Sequence, residues 1–329
     1  MTAATGAKLS GRDLDVLESL GRMRFLSVPQ VAALHFPSAD AALRRLRELR
    51  ARKLLTEAYV PVRPYDRRAK SVFALSALGA RALARARDGP APRHVPEHER
   101  RSGLFLDHTL ARNALYVALE LLHRDAAFQL LAWRHAPDDV RSSARVLVDG
   151  RMVRVPLIPD AFVALRVDGS VQGLVVEIDM GTVAPERMRL RYAGYFRWWK
   201  GRGHVARFGD MPVRVLTVTT TPSRLDRLRA AAAGGAGEGH TRLFWFALLE
   251  EVDLGKPHRL MGPVWRTSDP REDGPRCLLT STPTVCASPD IAVTGPTGSA
   301  PGGPSAACAA ASSTARTSPS PGTPAATGA

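Results

Sequence analysis

Pro159-Asp160 opens one run of apolar residues, and Glu177-Ile178-Asp179 closes the next, seventeen positions after Asp160. Two strands of that length bring Asp160, Glu177 and Asp179 to one edge of a sheet. Carboxylates grouped in this way suit a hard divalent cation, which polarises a phosphate and activates water for phosphodiester cleavage. The three acids are therefore the expected catalytic residues and ligands, with Mg2+ as the cofactor. Glu177 and Asp179 share a strand face by the period of two, and the Ile178 carbonyl is a further candidate ligand.

A lysine commonly stands two residues after the second acid in such sites, to orient water or stabilise charge; this chain has Asp179 there. Lys200 is the sole lysine between Lys70 and Lys256, whereas Arg187, Arg189 and Arg191 lie closer to the strand. Arginine offsets developing charge but is a poor general base, because it does not release its proton near neutral pH. A competing reading is purely structural: Asp160 caps a strand turn, while Glu177 and Asp179 pair with arginines of the following helix. Other candidate chemistry is thin. The glycines of 234–239 lack the Gly-Lys-Ser/Thr ending of a phosphate loop and read as a flexible loop. His94 and His98 straddle Pro96, His108 is a lone histidine, and Trp133, Trp198 and Trp199 read as core.

The elements that must hold this site alternate. A helix over 104–123 is followed by a short apolar run at 128–133 and a hairpin over 144–155 turning at Asp149-Gly150. Strands follow at 161–167 and 171–178, then a helix over 184–200, a strand at 213–218, a helix over 223–233 and a strand at 243–248. The near-continuous apolar run Leu174-Val175-Val176 suits a central strand covered on both faces. The order predicts an α/β fold with a mixed sheet and resembles restriction-endonuclease-like domains of the PD-(D/E)xK type.

Upstream, Ser10, Ser27 and Ser38 each precede an apolar-periodic segment and can cap a helix. In the third segment Ala42, Leu46 and Leu49 point inward while Arg44, Arg45, Arg47 and Arg50 point elsewhere. Two β-like runs then flank a basic stretch with Arg63, Tyr65, Arg67, Arg68 and Lys70, and Ser76 starts a fourth helix. Three helices, a hairpin and a helix are the order of a winged helix-turn-helix, whose third helix enters the major groove. Arg44, Arg45, Arg47, Arg67, Arg68 and Lys70 are the expected DNA contacts; Gln30 and Asp40 remain unassigned.

The expected divisions are a winged helix over 9–87, a Pro- and Gly-containing linker over 88–103, an endonuclease-like domain over 104–266 and a tail over 267–329. The tail is dominated by Pro, Gly, Ser, Thr and Ala and reads as disordered. The chain of 329 residues carries a net charge of +15, which favours a polyanionic partner, here double-stranded DNA. The rival account of the charge is compositional background from arginine-rich coding. Cys277, Cys286 and Cys308 form no C-x-x-C pair, so neither a zinc ribbon nor a disulfide framework is expected. No apolar run reaches membrane length and the start lacks the order of a signal peptide. A cytoplasmic, nucleoid- or plasmid-associated protein is the expectation.

Several segments, taken in order, are similar to the replication-relaxation proteins of plasmids and integrative elements. They are Arg12-Asp13, Val16-Leu17, Arg24-Phe25-Leu26, Phe36-Pro37-Ser38 and Ala42 to Leu46, then His108 to Asn113. Pro159-Asp160, Glu177 to Thr182, the helix through Tyr195 and Gly262 to Arg266 complete the set. The resemblance covers about residues 9 to 266. It implies a role in plasmid replication and DNA relaxation, makes Asp179 a family trait, and puts Arg191 where the family commonly has lysine. Arg191 joins the catalytic set on that ground. The favoured expectation is a DNA-binding replication or mobilisation factor, able to nick DNA with Mg2+ if the site is active. The alternative is a non-catalytic winged-helix regulator whose second domain forms homodimers or recruits replication proteins.

Overall fold

Each helix of the N-terminal region starts at a serine for a visible reason. Ser10 accepts from the Asp13 amide while the Asp13 carboxylate accepts from the Ser10 amide, so both groups at the end of α1 (Gly11–Met23) are satisfied. At α2 (Val28–His35) the Gln30 side chain accepts from the Ser27 amide, and at α3 (Ala39–Ala51) Ser38 Oγ accepts from the Ala41 amide. The strands β2 (Leu55–Val60) and β3 (Lys70–Leu75) pair antiparallel from Leu55↔Leu75 to Val60↔Lys70, and the short β1 (Leu26–Ser27) joins the free side of β3. Ser76 then caps α4 (Ala77–Arg87). Val16, Leu17, Leu20, Leu46, Leu49, Phe73 and Leu75 form the core beneath.

The computed structural model describes residues 8–60, 70–94, 102–125, 128–236, 241–269, 271 and 274–277. The expected contacts Arg67 and Arg68, with Arg63 and Tyr65, lie outside the described residues, as do His98, Cys286 and Cys308.

The second half is built on a seven-stranded mixed sheet in the order β12-β11-β10-β9-β8-β7-β4. Its strands are β4 (Gln129–Arg134), β7 (Ala161–Val167), β8 (Ser170–Asp179), β9 (Val213–Thr219), β10 (Phe244–Leu248), β11 (Pro263–Thr267) and β12 (Arg276–Cys277). The three central strands, β8, β9 and β10, run parallel and the outer pairs are antiparallel. Parallel neighbours need crossovers, and α7 (Pro185–Lys200) and α9 (Pro222–Ala236) supply them. These two helices cover one face together with a separate hairpin, β5 (Ser142–Val148) and β6 (Arg151–Leu157). The hairpin turns through Asp149 and Gly150, both at positive φ, as the Asp-Gly pair suggests.

The other face is covered by α5 (Gly103–Arg124), which the sequence assigns to the second domain alone. It serves both halves. Ala111, Leu115, Leu119 and Leu122 pack on the sheet, whereas Tyr116 and Val117 enter the N-terminal core. The fully buried Asn113 donates to the carbonyls of Met23 and Phe25, Gln30 donates to Leu110 O, and Arg22 donates to the Tyr116 hydroxyl. Buried polar groups must be paired, so these bonds hold the N-terminal region on α5 alongside its apolar contacts.

Three further differences have local causes. Of the glycines expected to form a loop, Gly234 and Gly235 belong to α9, where a Cβ at Gly235 would lie 2.9 Å from Arg189 O, and Gly237 and Gly239 lie outside the described residues. Short helices α6 (Pro137–Val140) and α8 (Gly203–Phe208) stand where no apolar period signals them. The sheet runs past the strand at 243–248, and β12 falls inside the segment expected to be disordered, since pairing with β11 satisfies its backbone. Among the described residues no helix is long and apolar enough to cross a membrane.

Candidate functional site

Asp160 stands one residue before β7, where its amide donates to Val176 O at 2.8 Å. Its Oδ2 accepts from the Ile178 amide at 2.7 Å and its Oδ1 lies 3.2 Å from His108 Nε2. The strand pairing therefore brings Asp160 beside the 177–179 segment, as the spacing predicts. A cavity of about 220 Å3 opens here, lined among others by His108, Ile158, Asp160, Glu177, Asp179 and Arg191.

Glu177 is almost fully buried. Arg191 NH1 donates to its Oε2 at 2.9 Å and the Tyr195 hydroxyl donates to its Oε1. Burial pushes the Glu177 carboxyl well above the usual carboxylate range, with the Arg191 charge opposing and the Asp160 charge adding to the rise. Burial also raises the Tyr195 hydroxyl, reinforced by the neighbouring Glu177. Tyr195 and Arg191 are one helical turn apart on α7, so a single helix face holds both oxygens.

Asp179 is held differently. Arg224 of α9 donates from Nε to Oδ2 at 2.9 Å and from NH2 to Oδ1 at 2.8 Å. Thr219 Oγ1 and the Gly181 amide add donors to Oδ2 at 2.8 and 3.3 Å. A bidentate arginine fork supplemented by two further donors occupies the carboxylate. The structural alternative foresaw arginine partners on the following helix. Glu177 has one there, but the partner of Asp179 comes from the helix after it.

These contacts test the fit of Mg2+. Two of the three carboxylates are already engaged: the Asp179 oxygens accept from Arg224 and Thr219, and the Glu177 oxygens accept from Arg191 and Tyr195. Among the described residues, no three His, Cys, Asp or Glu side chains are grouped to hold an ion. Asp160, Glu177, Asp179 and Arg191 all line the cavity.

His108, a lone histidine in the sequence, faces the cavity from α5. Its hydrogen bond to Asp160 raises its pKa, against the opposing effect of burial. Arg112, one turn further along α5, is lowered to about 10 by burial, with the Asp160 charge opposing. Both lie in the His108 to Asn113 segment that carries the family resemblance, and the packing of α5 on the sheet brings His108 to the cavity.

The arginines of α3 divide into two kinds. Arg45 is consumed: its Nε and NH2 bind the buried Asp13 at 2.7 and 2.6 Å and its NH1 binds Glu48. The fork ties α3 to α1 and engages a guanidinium that the sequence expects at DNA. Arg50 likewise pairs with Glu57 at 2.6 Å. Gln30, left unassigned, is buried and bonded to α5. Arg44 and Arg47 are exposed, three apart on one helix face, and have no ion pair among the described residues. Lys70 is the first residue of β3.

A family model described as Replication-relaxation matches residues 17–213, more than half of the chain. The chain belongs to the replication-relaxation family. The matched span runs from α1 to the first residue of β9. It includes Asp160, Glu177, Asp179 and Arg191 but stops short of Arg224. No curated protein matches the chain. Among solved structures, protein VC1899 from Vibrio cholerae aligns at 13% identity and a TM-score of 0.24, covering 76% of this chain and 56% of that one. The chain thus spans little more than half of that protein, and a likeness at this level carries no argument.

Proposed function

We propose that this family member is a double-stranded-DNA-binding protein acting in the replication of a plasmid or mobile element. The family's description supports the replication role. The observation that carries DNA binding is the pair Arg44 and Arg47, exposed on the third helix while the neighbouring arginines are spent on acids. In this reading the N-terminal region is a winged helix-turn-helix, α3 enters the major groove, and the β2–β3 hairpin is the wing with Arg67, Arg68 and Lys70. The sheet half is a restriction-endonuclease-like scaffold whose three acids are engaged by His108, Arg191 and Arg224, so its role is to carry the N-terminal region on α5.

Nicking is a second reading, favoured by the convergence of Asp160 and Glu177 on one cavity. These two would hold Mg2+ only with Arg191 and Tyr195 withdrawn from the Glu177 oxygens, and the ion would then supply phosphate polarisation and an activated water. Arg191 would offset charge on the phosphate, and His108 would hold Asp160 in place. Asp179 keeps its structural role with Arg224.

Fluorescence anisotropy of a labelled duplex across a salt series tests DNA binding. Arg44→Ala/Arg47→Ala is expected to lower the slope of log affinity against log salt by about 2 units, one for each lost phosphate contact. An unchanged slope removes α3 from the interface. A supercoiled-plasmid assay with Mg2+ or Mn2+ decides the second reading. Open-circle product from the wild type but not from Glu177→Ala makes the protein a nickase, and equal, background-level product from both leaves it a binding protein.

A further inference from the structure

The β5–β6 hairpin lies outside the seven-stranded sheet and buries only one face. Val146, Val155 and Leu157 point into the core against α7, where Gly194 makes room: a Cβ there would lie 3.0 Å from Leu157 and 3.1 Å from Val155. The outward face alternates with them. It carries Arg145 directly opposite Arg154, and, two residues nearer the turn, Leu147 directly opposite Met152. Leu147 is 57% and Met152 60% exposed, so no described part of the chain covers this face.

The arginine pair is anomalous by itself. Like charges directly opposite on adjacent strands destabilise a hairpin. Arg154 has only the Ser143 hydroxyl, at 3.2 Å, and neither Arg145 nor the exposed Arg151 has an ion pair among the described residues. The hairpin's one acid is Asp149, in the turn. Among the described residues Arg45, Arg50, Arg191 and Arg224 are each paired with an acid, whereas Arg145 and Arg154, like Arg44 and Arg47, are not. A matched cationic pair left without a counter-charge is what an external polyanion would satisfy.

We propose that the β5–β6 hairpin is a second DNA-contacting element, a two-stranded ribbon distinct from α3. A ribbon of this kind fits the major groove. Arg145 and Arg154 reach phosphates, and Leu147 with Met152 packs against sugars or base edges. β6 leads through Ile158, which is 45% exposed and lines the carboxylate cavity, directly to Asp160. DNA lying along the ribbon is therefore guided to the mouth of that cavity. The inference rests on DNA binding as proposed above but not on the role of α3.

The test uses the full chain, a labelled duplex and the same salt series. Arg145→Ser/Arg154→Ser is expected to lower the salt slope by about 2 units, while Arg145→Lys/Arg154→Lys keeps it, since charge and not the guanidinium shape is read at a phosphate. Thermal melts confirm that both variants fold. Leu147→Ser/Met152→Ser is expected to weaken binding with the slope unchanged. A wild-type slope in Arg145→Ser/Arg154→Ser, with the slope reduced in Arg44→Ala/Arg47→Ala, overturns the ribbon and leaves α3 standing. The reverse pattern supports the ribbon and removes α3. Loss of a dimer in Leu147→Ser/Met152→Ser, seen by sedimentation without any change in DNA affinity, overturns the proposal by assigning the face to self-association. Absence of any salt-dependent binding by the wild type overturns both.

Discussion

The same residue type does opposite work in the two halves of this protein. On α3, Arg44 and Arg47 are exposed and keep their donors available. In the sheet half, Arg191 and Arg224 are drawn onto Glu177 and Asp179, two acids that the central strand has buried. The difference follows from where the acids sit. A carboxylate carried into the interior by a central strand has lost its water, and only a paired, hydrogen-bonded cation makes that tolerable. An arginine on an exposed helix face pays no such penalty and keeps its donors open to water or an external anion. High net charge alone therefore says little about which arginines are open to a polyanion.

The sharpest way to break this comparison is to remove a buried arginine. Arg224→Ala leaves Asp179 buried without its fork, and a loss of about 3–5 kcal/mol in unfolding free energy is expected from urea titration. A loss below about 1 kcal/mol would show that Asp179 is not held as described. Arg45 sits between the extremes, half-exposed but bound to the buried Asp13. Burial of Asp13 disfavours its charge, yet the Arg45 and Ser10 hydrogen bonds outweigh that and lower its pKa to about 2. Arg45→Ala should cost about 2 kcal/mol, as for a hydrogen bond to a charged group, whereas Arg44→Ala should stay within about 0.5 kcal/mol. Equal effects of the two would erase the distinction between them.

A further expected effect is pH-dependent. His35 and His135 are both lowered to about 4, chiefly by burial and then by the nearby charges of Arg124 and Arg112 respectively. The unfolded chain binds these protons near pH 6.5, while the folded chain does so only near 4. Stability from the two histidines is thus fully present above pH 6.5 and falls as pH drops through that window. Below about 3.8 the protonation of Asp13 adds to the loss. Thermal midpoints measured from pH 7.5 to 4, with His35→Gln/His135→Gln as control, should show a decline that the double variant reduces.

Much of the scaffold was legible because its signals are local. The serines before α1, α2, α3 and α4, the Asp-Gly turn at 149–150 and the apolar run of β8 each announce an element within a few residues. The juxtaposition of Asp160 with the 177–179 segment was legible too, because an antiparallel hairpin fixes its own register. The shared use of α5 was not. Its leucines show a helical period, but nothing in that period says that Tyr116 and Val117 face another core, or that Asn113 reaches the carbonyls of Met23 and Phe25.

The sequence by itself determined which residues are acids, arginines and capping serines, and which elements carry them, since caps, turns and periodicity act over a few residues of chain. Only the tertiary structure decided the partners. Arg224 reaches Asp179 from 45 residues away, and Arg45 reaches Asp13 from 32. Such pairings depend on which helix crosses which strand end, and on how far burial strips each acid of water. Hence the three carboxylates at one sheet edge are visible in the chain, while the partners they take, His108 for Asp160, Arg191 and Tyr195 for Glu177 and Arg224 for Asp179, are a property of the fold.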